Sequence, residues 1–301
     1  LSDPHLDHLE LVLATVDRER IAQRNFRVLL DSNHGAGSLL GIRLLESLGC
    51  QVTVLGGTPD GQFAHTPEPL AANLSSVCQQ ARQLGADVTF CQDPDADRLA
   101  IIDQRGQYIG EELTLALCLL SVLPNMSGPV VTNCATSSLS QHLARQFGVT
   151  CYQSAVGEAN VVDEMLLRKA VFGGEGNGGP IDPRVGLVRD SFVGMALVLD
   201  LMARQAVPLS ELVEQLPPLS MVKDKISLPA SKLPALLARL SSEMSAESSN
   251  SLDGLRLEWT DRWLLVRGSN TEPIVRLIAE APTVAAAQHL CDEARRLAVD
   301  L

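Results

Sequence analysis

From Asn25 onward, short apolar runs alternate with longer stretches in which apolar residues recur at helical spacing. Residues 26–30 read as a strand, residues 31–38 as a loop, and the following segment as a helix to Leu48. A strand over 50–55 comes next, then a Pro/Gly-rich loop over 56–69, a helix ending at Leu84 and a strand over 86–91, with another apolar run at 99–102. This β-α-β order predicts an α/β layer in which helices cover a largely parallel sheet. A second unit repeats the rhythm: helix 111–122, strand 130–134, helix 138–147, strand 149–153, helix 158–168, a strand into the glycines at 173–179, and a helix over 190–203. Pro217-Pro218 marks a linker. Beyond it come an apolar-polar run at 221–228, a helix from Ser231, a polar stretch at 241–251, strands at 255–259, 263–266 and 274–281, and a last helix from Val284. The expected fold is therefore two consecutive three-layer α/β domains followed by a small α+β C-terminal domain, divided as 1–107, 108–218 and 219–301.

Composition narrows the function. A formal charge of −12 with no basic stretch argues against general nucleic-acid binding, because there is no patch to release counterions. It leaves room for small phosphorylated ligands, which need only a local nest of arginines and backbone amides. The seven cysteines include no C-x-x-C pair, which points to reduced thiols in a cytoplasmic protein. No apolar stretch reaches the ~18 residues of a membrane span. The start, Leu1-Ser2-Asp3-Pro4-His5, is not a signal peptide, and it lacks an initiator methionine, so a fragment or a processed product is expected.

The strongest chemical signal is Asp93-Pro94-Asp95-Ala96-Asp97-Arg98, three carboxylates at alternate positions followed by a cation and flanked by strand-like runs. A loop between two strands can turn all three acids toward one point. Hard oxygen donors without histidine or cysteine favour Mg²⁺. A calcium EF-hand would need glycine and glutamate where Arg98 and Gln104 stand, so that reading fails. A solvated acidic turn and an aspartyl-phosphate phosphatase, with Asp95 as nucleophile and Asp97 as acid/base, stay open at this point. Gly174-Glu175-Gly176-Asn177-Gly178-Gly179 reads as a flexible loop whose Glu175 and Asn177 can bind sugar hydroxyls. Arg267-Gly268-Ser269-Asn270-Thr271-Glu272-Pro273 lies between two strands and suits a dianionic phosphate, with Arg276 able to point back toward it; a polar hairpin is the alternative.

In that order, these three segments resemble the α-D-phosphohexomutase family, which includes phosphoglucomutase, phosphomannomutase and phosphoglucosamine mutase. The segment from Asp31 to Gly37, Pro59-Asp60-Gly61 with Pro67-Glu68-Pro69, and Tyr108-Ile109-Gly110-Glu111 match as well. The resemblance runs from about Asn25 to the C-terminus. It implies that Asp93, Asp95 and Asp97 hold Mg²⁺ and that Arg98 contacts the phosphate of a phosphoserine. It further implies that Glu175 and Asn177 grip the sugar, and that Arg267, Ser269, Asn270 and Thr271 anchor the phosphate that does not react. The implied reaction moves phosphate between the 1- and 6-positions of a hexose through a bisphosphorylated sugar.

Two departures stand out. The family's phosphoserine lies in a T/S-A-S-H-N-P-type loop of a first domain, and no such segment occurs here. The chain therefore reads as domains two, three and four without the first, and is expected to be inactive alone. Near Ala155-Val156-Gly157-Glu158, some members carry a lysine and a histidine as acid/base candidates. Here Glu158 is favoured as a helix N-terminal residue, which leaves the acid/base open. Among substrates, G-E-G-N-G-G resembles archaeal-type phosphoglucosamine mutases and related phosphomannomutases more than the G-E-M-S-G-H or G-E-Q-S-G-H forms; glucosamine phosphate is the favoured substrate, with mannose and glucose phosphates as alternatives. A reading of another class is a non-catalytic phosphosugar-binding protein.

Overall fold

A computed structural model of the protein describes residues 3–269 and 274–299. Two helices, α1 (Pro4–Leu13) and α2 (Arg18–Arg24), precede the first strand. Both start at an aspartate: the Asp3 carboxylate accepts His5 N–H at 3.0 Å, and that of Asp17 accepts Arg20 N–H at 3.0 Å. Asn25, where the alternating pattern in the sequence begins, is the left-handed cap that ends α2.

The first sheet is built from β1 (Arg27–Asp31), α3 (Ser38–Ser47), β2 (Gln51–Leu55), α4 (Ser75–Leu84), β3 (Val88–Gln92) and β4 (Leu99–Asp103). Its order is β2-β1-β3-β4, parallel except for the antiparallel β3–β4 hairpin. The second unit contains α5 (Glu111–Val122), β5 (Val130–Asn133), α6 (Leu139–Gln146), β6 (Cys151–Ser154), α7 (Glu158–Arg168), β7 (Phe172–Glu175), β8 (Gly179–Ile181), α8 (Ser191–Gln205) and α9 (Leu209–Glu214). Its order, β6-β5-β7-β8, repeats the first, again with only the last pair antiparallel.

One continuous core unites the two units. Leu9 and Ile21 of the N-terminal helices, Leu44, Phe90 and Leu99 of the first unit, and Leu115, Phe172 and Val193 of the second all belong to it. Helix α8 is buried along nearly its whole length, with α1, α2, α3 and α5 against it. That burial holds the ends of the two sheets in fixed relation.

The C-terminal domain comprises β9 (Ser220–Ser227), α10 (Leu233–Glu243), β10 (Ser248–Asn250), β11 (Leu255–Glu258), β12 (Trp263–Gly268), β13 (Ile274–Ala281) and α11 (Val284–Ala298). Its sheet, β10-β11-β12-β13-β9, is antiparallel throughout. Three short elements differ from expectation. The polar edge strand β10 and the Gly-Pro edge strand β8 are only three residues long and lack an apolar alternation, and α9 spans less than two turns.

This domain is tied to the second unit around Trp263. The Arg256 guanidinium, 1% exposed, lies 3.8 Å over the Trp263 ring and donates to the Cys134 carbonyl. Trp263 Nε1 donates to Glu280 at 2.8 Å, and Glu280 also accepts Ser138 N–H at 2.9 Å.

Candidate functional site

The acidic loop is the turn of the β3–β4 hairpin. Asp93, 2% exposed, folds it: its carboxylate accepts the Arg98 backbone N–H at 3.0 Å and Arg98 Nε at 2.6 Å. Ala96 takes a left-handed conformation, φ +62°, and donates its N–H to the Asp93 carbonyl. The glycine-rich loop after β1 lies beneath. Ala36 N–H donates to the Pro94 carbonyl at 2.8 Å, and a Cβ on Gly35 would stand 2.7 Å from that same oxygen.

One oxygen each from Asp93, Asp95 and Asp97 falls within 4.8 Å of the others. Oδ1 of Asp97 is buried and accepts no hydrogen bond among the described residues. Burial, followed by the hydrogen bond and charge of Asp93, pushes the Asp97 carboxyl up to about 7 against the pull of Arg189. Burial acts the same way on Asp93, but the Arg98 backbone and side-chain N–H groups overcome it and hold that carboxyl below its ordinary range. Three converging oxygens, one of them buried without a hydrogen bond, fit a hard divalent cation. Arg98, expected on a phosphate, here braces Asp93 and lies 3.6 Å from Asp97.

The second hairpin, β7–β8, holds Glu175 and Asn177. It is an ordered turn rather than a flexible loop, with Glu175 as the last residue of its strand and 3% exposed. The Glu175 carboxylate accepts Asn133 Nδ2 at 2.7 Å, Gly157 N–H at 2.9 Å and Arg189 Nη1 at 2.9 Å. Oδ1 of Asn177 is buried and accepts no hydrogen bond among the described residues. The two hairpins pack back to back: Leu99 N–H donates to the Gly178 carbonyl at 2.9 Å. Gly178 has φ +88°, and a Cβ there would stand 2.3 Å from the Leu99 carbonyl oxygen.

Arg189 was not identified from sequence. It follows the loop after β8, just before Asp190, the N-cap of α8. Its guanidinium binds Asp97, Glu175 and, at 3.2 Å, Glu158. Glu158, the first residue of α7, therefore serves as a partner for Arg189. An arginine immediately before a capping aspartate was the available signal, and nothing local says which carboxylates it meets. Lys223 of β9 was missed for the same reason. It lies 3.1 Å from Glu112 and also pairs with Glu111, so it joins the C-terminal domain to the start of α5.

Of the residues expected to bind phosphate, Arg267 pairs with Asp253 at 2.8 Å, and the Ser269 N–H donates to the Ile274 carbonyl. Arg276 stands opposite Arg267 in the β12–β13 register. Asn270 and Thr271 lie outside the described residues. Glu175, Asn177 and Arg189 face Lys223, Arg267, Ser269 and Arg276 across a cleft of about 550 Å³ between the second unit and the C-terminal domain. The acidic loop does not line this cleft; Arg189 connects the two. A neighbouring cavity of about 640 Å³, bordered by Tyr108, Leu216 and Met221, contains none of the three loops.

Three family models match the chain. They are Phosphoglucomutase/phosphomannomutase, alpha/beta/alpha domain II over residues 3–106, domain III over 111–219, and the C-terminal domain over 222–297. The chain belongs to the phosphoglucomutase/phosphomannomutase family. The match from residue 3 takes in α1 and α2, so the likeness starts before Asn25. A Thermococcus kodakarensis phosphoglucomutase/phosphomannomutase is 36% identical, covering 91% of this chain and 61% of the relative. A probable phosphoglucosamine mutase of Thermococcus gammatolerans is 32% identical, covering 98% and 66%. The chain thus spans somewhat less than two thirds of these curated relatives. The crystal structure of a family protein from Burkholderia thailandensis superposes with a TM-score of 0.79 at 27% identity, covering 93% of this chain and 62% of that one.

Proposed function

We propose that this chain provides the metal, sugar and phosphate loops of a hexose-phosphate mutase that moves phosphate between the 1- and 6-positions through a bisphosphorylated sugar. The observation that carries the reading is the back-to-back packing of the acidic and sugar hairpins, held by Leu99, Gly178 and Arg189. It brings a cation site and a hydroxyl-binding carboxylate to neighbouring points of one rigid core. The reading takes residues 1–107, 108–218 and 219–301 as the family's second, third and fourth domains.

Asp93, Asp95 and Asp97 would hold Mg²⁺, which when bound neutralises charge on the transferring phosphoryl group. Glu175 is fixed as an acceptor for sugar hydroxyls, with Asn177 beside it. Arg267, Ser269 and Arg276, together with Asn270 and Thr271, would neutralise the other phosphate. Arg98 keeps Asp93 ionised and turned inward, and its guanidinium remains near the acids for the donor phosphate. None of the 301 residues forms a T/S-A-S-H-N-P-type loop, so the chain alone is not expected to turn over.

Glucosamine phosphate is the preferred substrate. The G-E-G-N-G-G turn supports it, as do several archaeal relatives called probable phosphoglucosamine mutases. The relative at 36% identity keeps glucose and mannose phosphates in view. No helix among the described residues is long and apolar enough to cross a membrane, and the reading places the enzyme in the cytoplasm.

The test is a mutase assay of the full-length gene product with Mg²⁺ on glucosamine, glucose and mannose phosphates, glucosamine being fastest. Glu175→Gln should lower kcat/KM about 10- to 100-fold, as expected for losing a charged hydrogen-bond acceptor. No turnover by the full-length protein would overturn the mutase reading. Turnover by the 301-residue chain alone would overturn only its dependence on an outside phosphoserine.

A further inference from the structure

We propose that Arg189 is a positioning residue that couples cation binding at the acidic loop to the state of the sugar-binding carboxylate. The inference rests on the reading above, in which Asp93, Asp95 and Asp97 take a divalent cation and Glu175 takes sugar hydroxyls. One guanidinium reaches both loops: Nη2 is on Asp97, and Nη1 is on Glu175 at 2.9 Å.

The base of the residue is fixed. The Arg189 backbone N–H donates to Glu158 at 3.0 Å, and the next residue, Asp190, caps Phe192 N–H at 2.8 Å and pairs with His8 at 2.9 Å. With its backbone pinned, the side chain cannot follow one carboxylate without weakening its hold on the other. Asp97, which also has Arg98 at 3.6 Å, and Glu175 therefore share the Arg189 guanidinium in a half-buried site, where each contact matters more than it would in water.

A divalent cation drawing on Asp97 competes with Arg189 for that carboxylate and leaves the guanidinium to Glu175 and Glu158. By reciprocity, whatever changes the claim of Glu175 on Arg189 changes cation affinity at the acidic loop. Cation occupancy and the readiness of Glu175 for a sugar hydroxyl are then linked even though the acidic loop does not line the cleft.

The experiment is a double-mutant cycle on the purified 301-residue chain, read as Mn²⁺ affinity at pH 8 by calorimetry or electron paramagnetic resonance. In the wild-type background, Glu175→Gln frees Arg189 for Asp97 and should weaken Mn²⁺ binding about fivefold. In the Arg189→Gln background, the same Glu175→Gln change should alter Mn²⁺ affinity by less than about twofold. Arg189→Lys keeps the charge but cannot span both carboxylates, and should abolish the coupling in the same way. It serves as the test if Arg189→Gln does not fold.

A Glu175 effect that persists or grows without Arg189 would be a direct field effect, and would overturn the coupling while leaving the cation site standing. So would no effect of Glu175→Gln in the wild type. If no Mn²⁺ site is abolished by Asp95→Asn, the cation reading of the acidic loop is overturned, and the coupling with it.

Discussion

The two α/β units follow one plan, yet their hairpins are built differently. Each sheet runs parallel until its last strand, and each places its chemistry where the third strand turns back into the fourth. In the first unit Asp93 is satisfied within its own turn, by Arg98 five residues away, although Asp97 of the same turn draws on Arg189 of the second unit. In the second, Glu175 depends on Asn133, Gly157 and Arg189, each from a separate segment of the unit. One scaffold position thus supports a local solution in one unit and a tertiary one in the other. The local hairpin holds Asp93 by itself. The other is only as well placed as the elements around it.

The largest effect is expected where the two hairpins touch. Gly178→Ala puts a Cβ 2.3 Å from the Leu99 carbonyl oxygen at a φ of +88°, and should cost about 3 kcal/mol or more by urea unfolding. Gly61→Ala, at φ +71° with nothing within 4 Å, should cost only about 1 kcal/mol. Equal losses at the two sites would mean that the hairpins do not bear on one another.

Next comes the tertiary dependence of Glu175. Asn133→Ala removes a 2.7 Å hydrogen bond to that buried carboxylate, together with the acceptor for Ala135 N–H and the Thr136 hydroxyl. A loss of about 2 kcal/mol is expected. Ser32→Ala in the first unit removes one buried hydrogen bond, 3.0 Å to Gln92, and should cost about 1 kcal/mol. The reverse ranking in urea unfolding would break the contrast between the two units.

The acidic hairpin also carries a pH signature. The Asp97 carboxyl is raised from 3.8 to about 7, so the folded chain takes up its proton before the unfolded chain does. As pH falls from 8 to 6, the cation-free chain should therefore gain stability from this group, while divalent cation affinity falls by up to about tenfold per pH unit below 7. Asp97→Asn should flatten the trend in Mn²⁺ titrations and remove the Asp97 share of the stability trend in thermal melts, leaving the share of Glu112, which burial also pushes up to about 7. A thermal stability that instead rises with pH between 6 and 8 through Asp97 would reverse the assigned direction. The smallest effect is expected for Arg105→Ala at the exposed pair with Glu214, where about 0.5 kcal/mol or less should be lost.

The hairpin contrast also explains how much could be read in advance. The α/β rhythm was legible because β1, β3 and β5 carry clusters of β-branched and other apolar residues at short strand length, as strands largely buried on both faces do. The acidic loop was legible because its carboxylates and Arg98 sit within six residues. The edge strands β8 and β10 were not, since three residues are too few to show an alternation. Arg189 was not, because its partners lie 31, 14 and 92 residues away along the chain.

The sequence by itself determined the layered class, the order of the three loops and the hard-oxygen character of the acidic turn, because each depends on residues near one another in the chain. Only the tertiary structure decided that the acidic and glycine-rich hairpins meet at Leu99 and Gly178, that Glu175 is held by three separate donors, and that one arginine serves both loops. Those facts arise from close packing around the shared core, where the position of each group is set by elements distant in sequence.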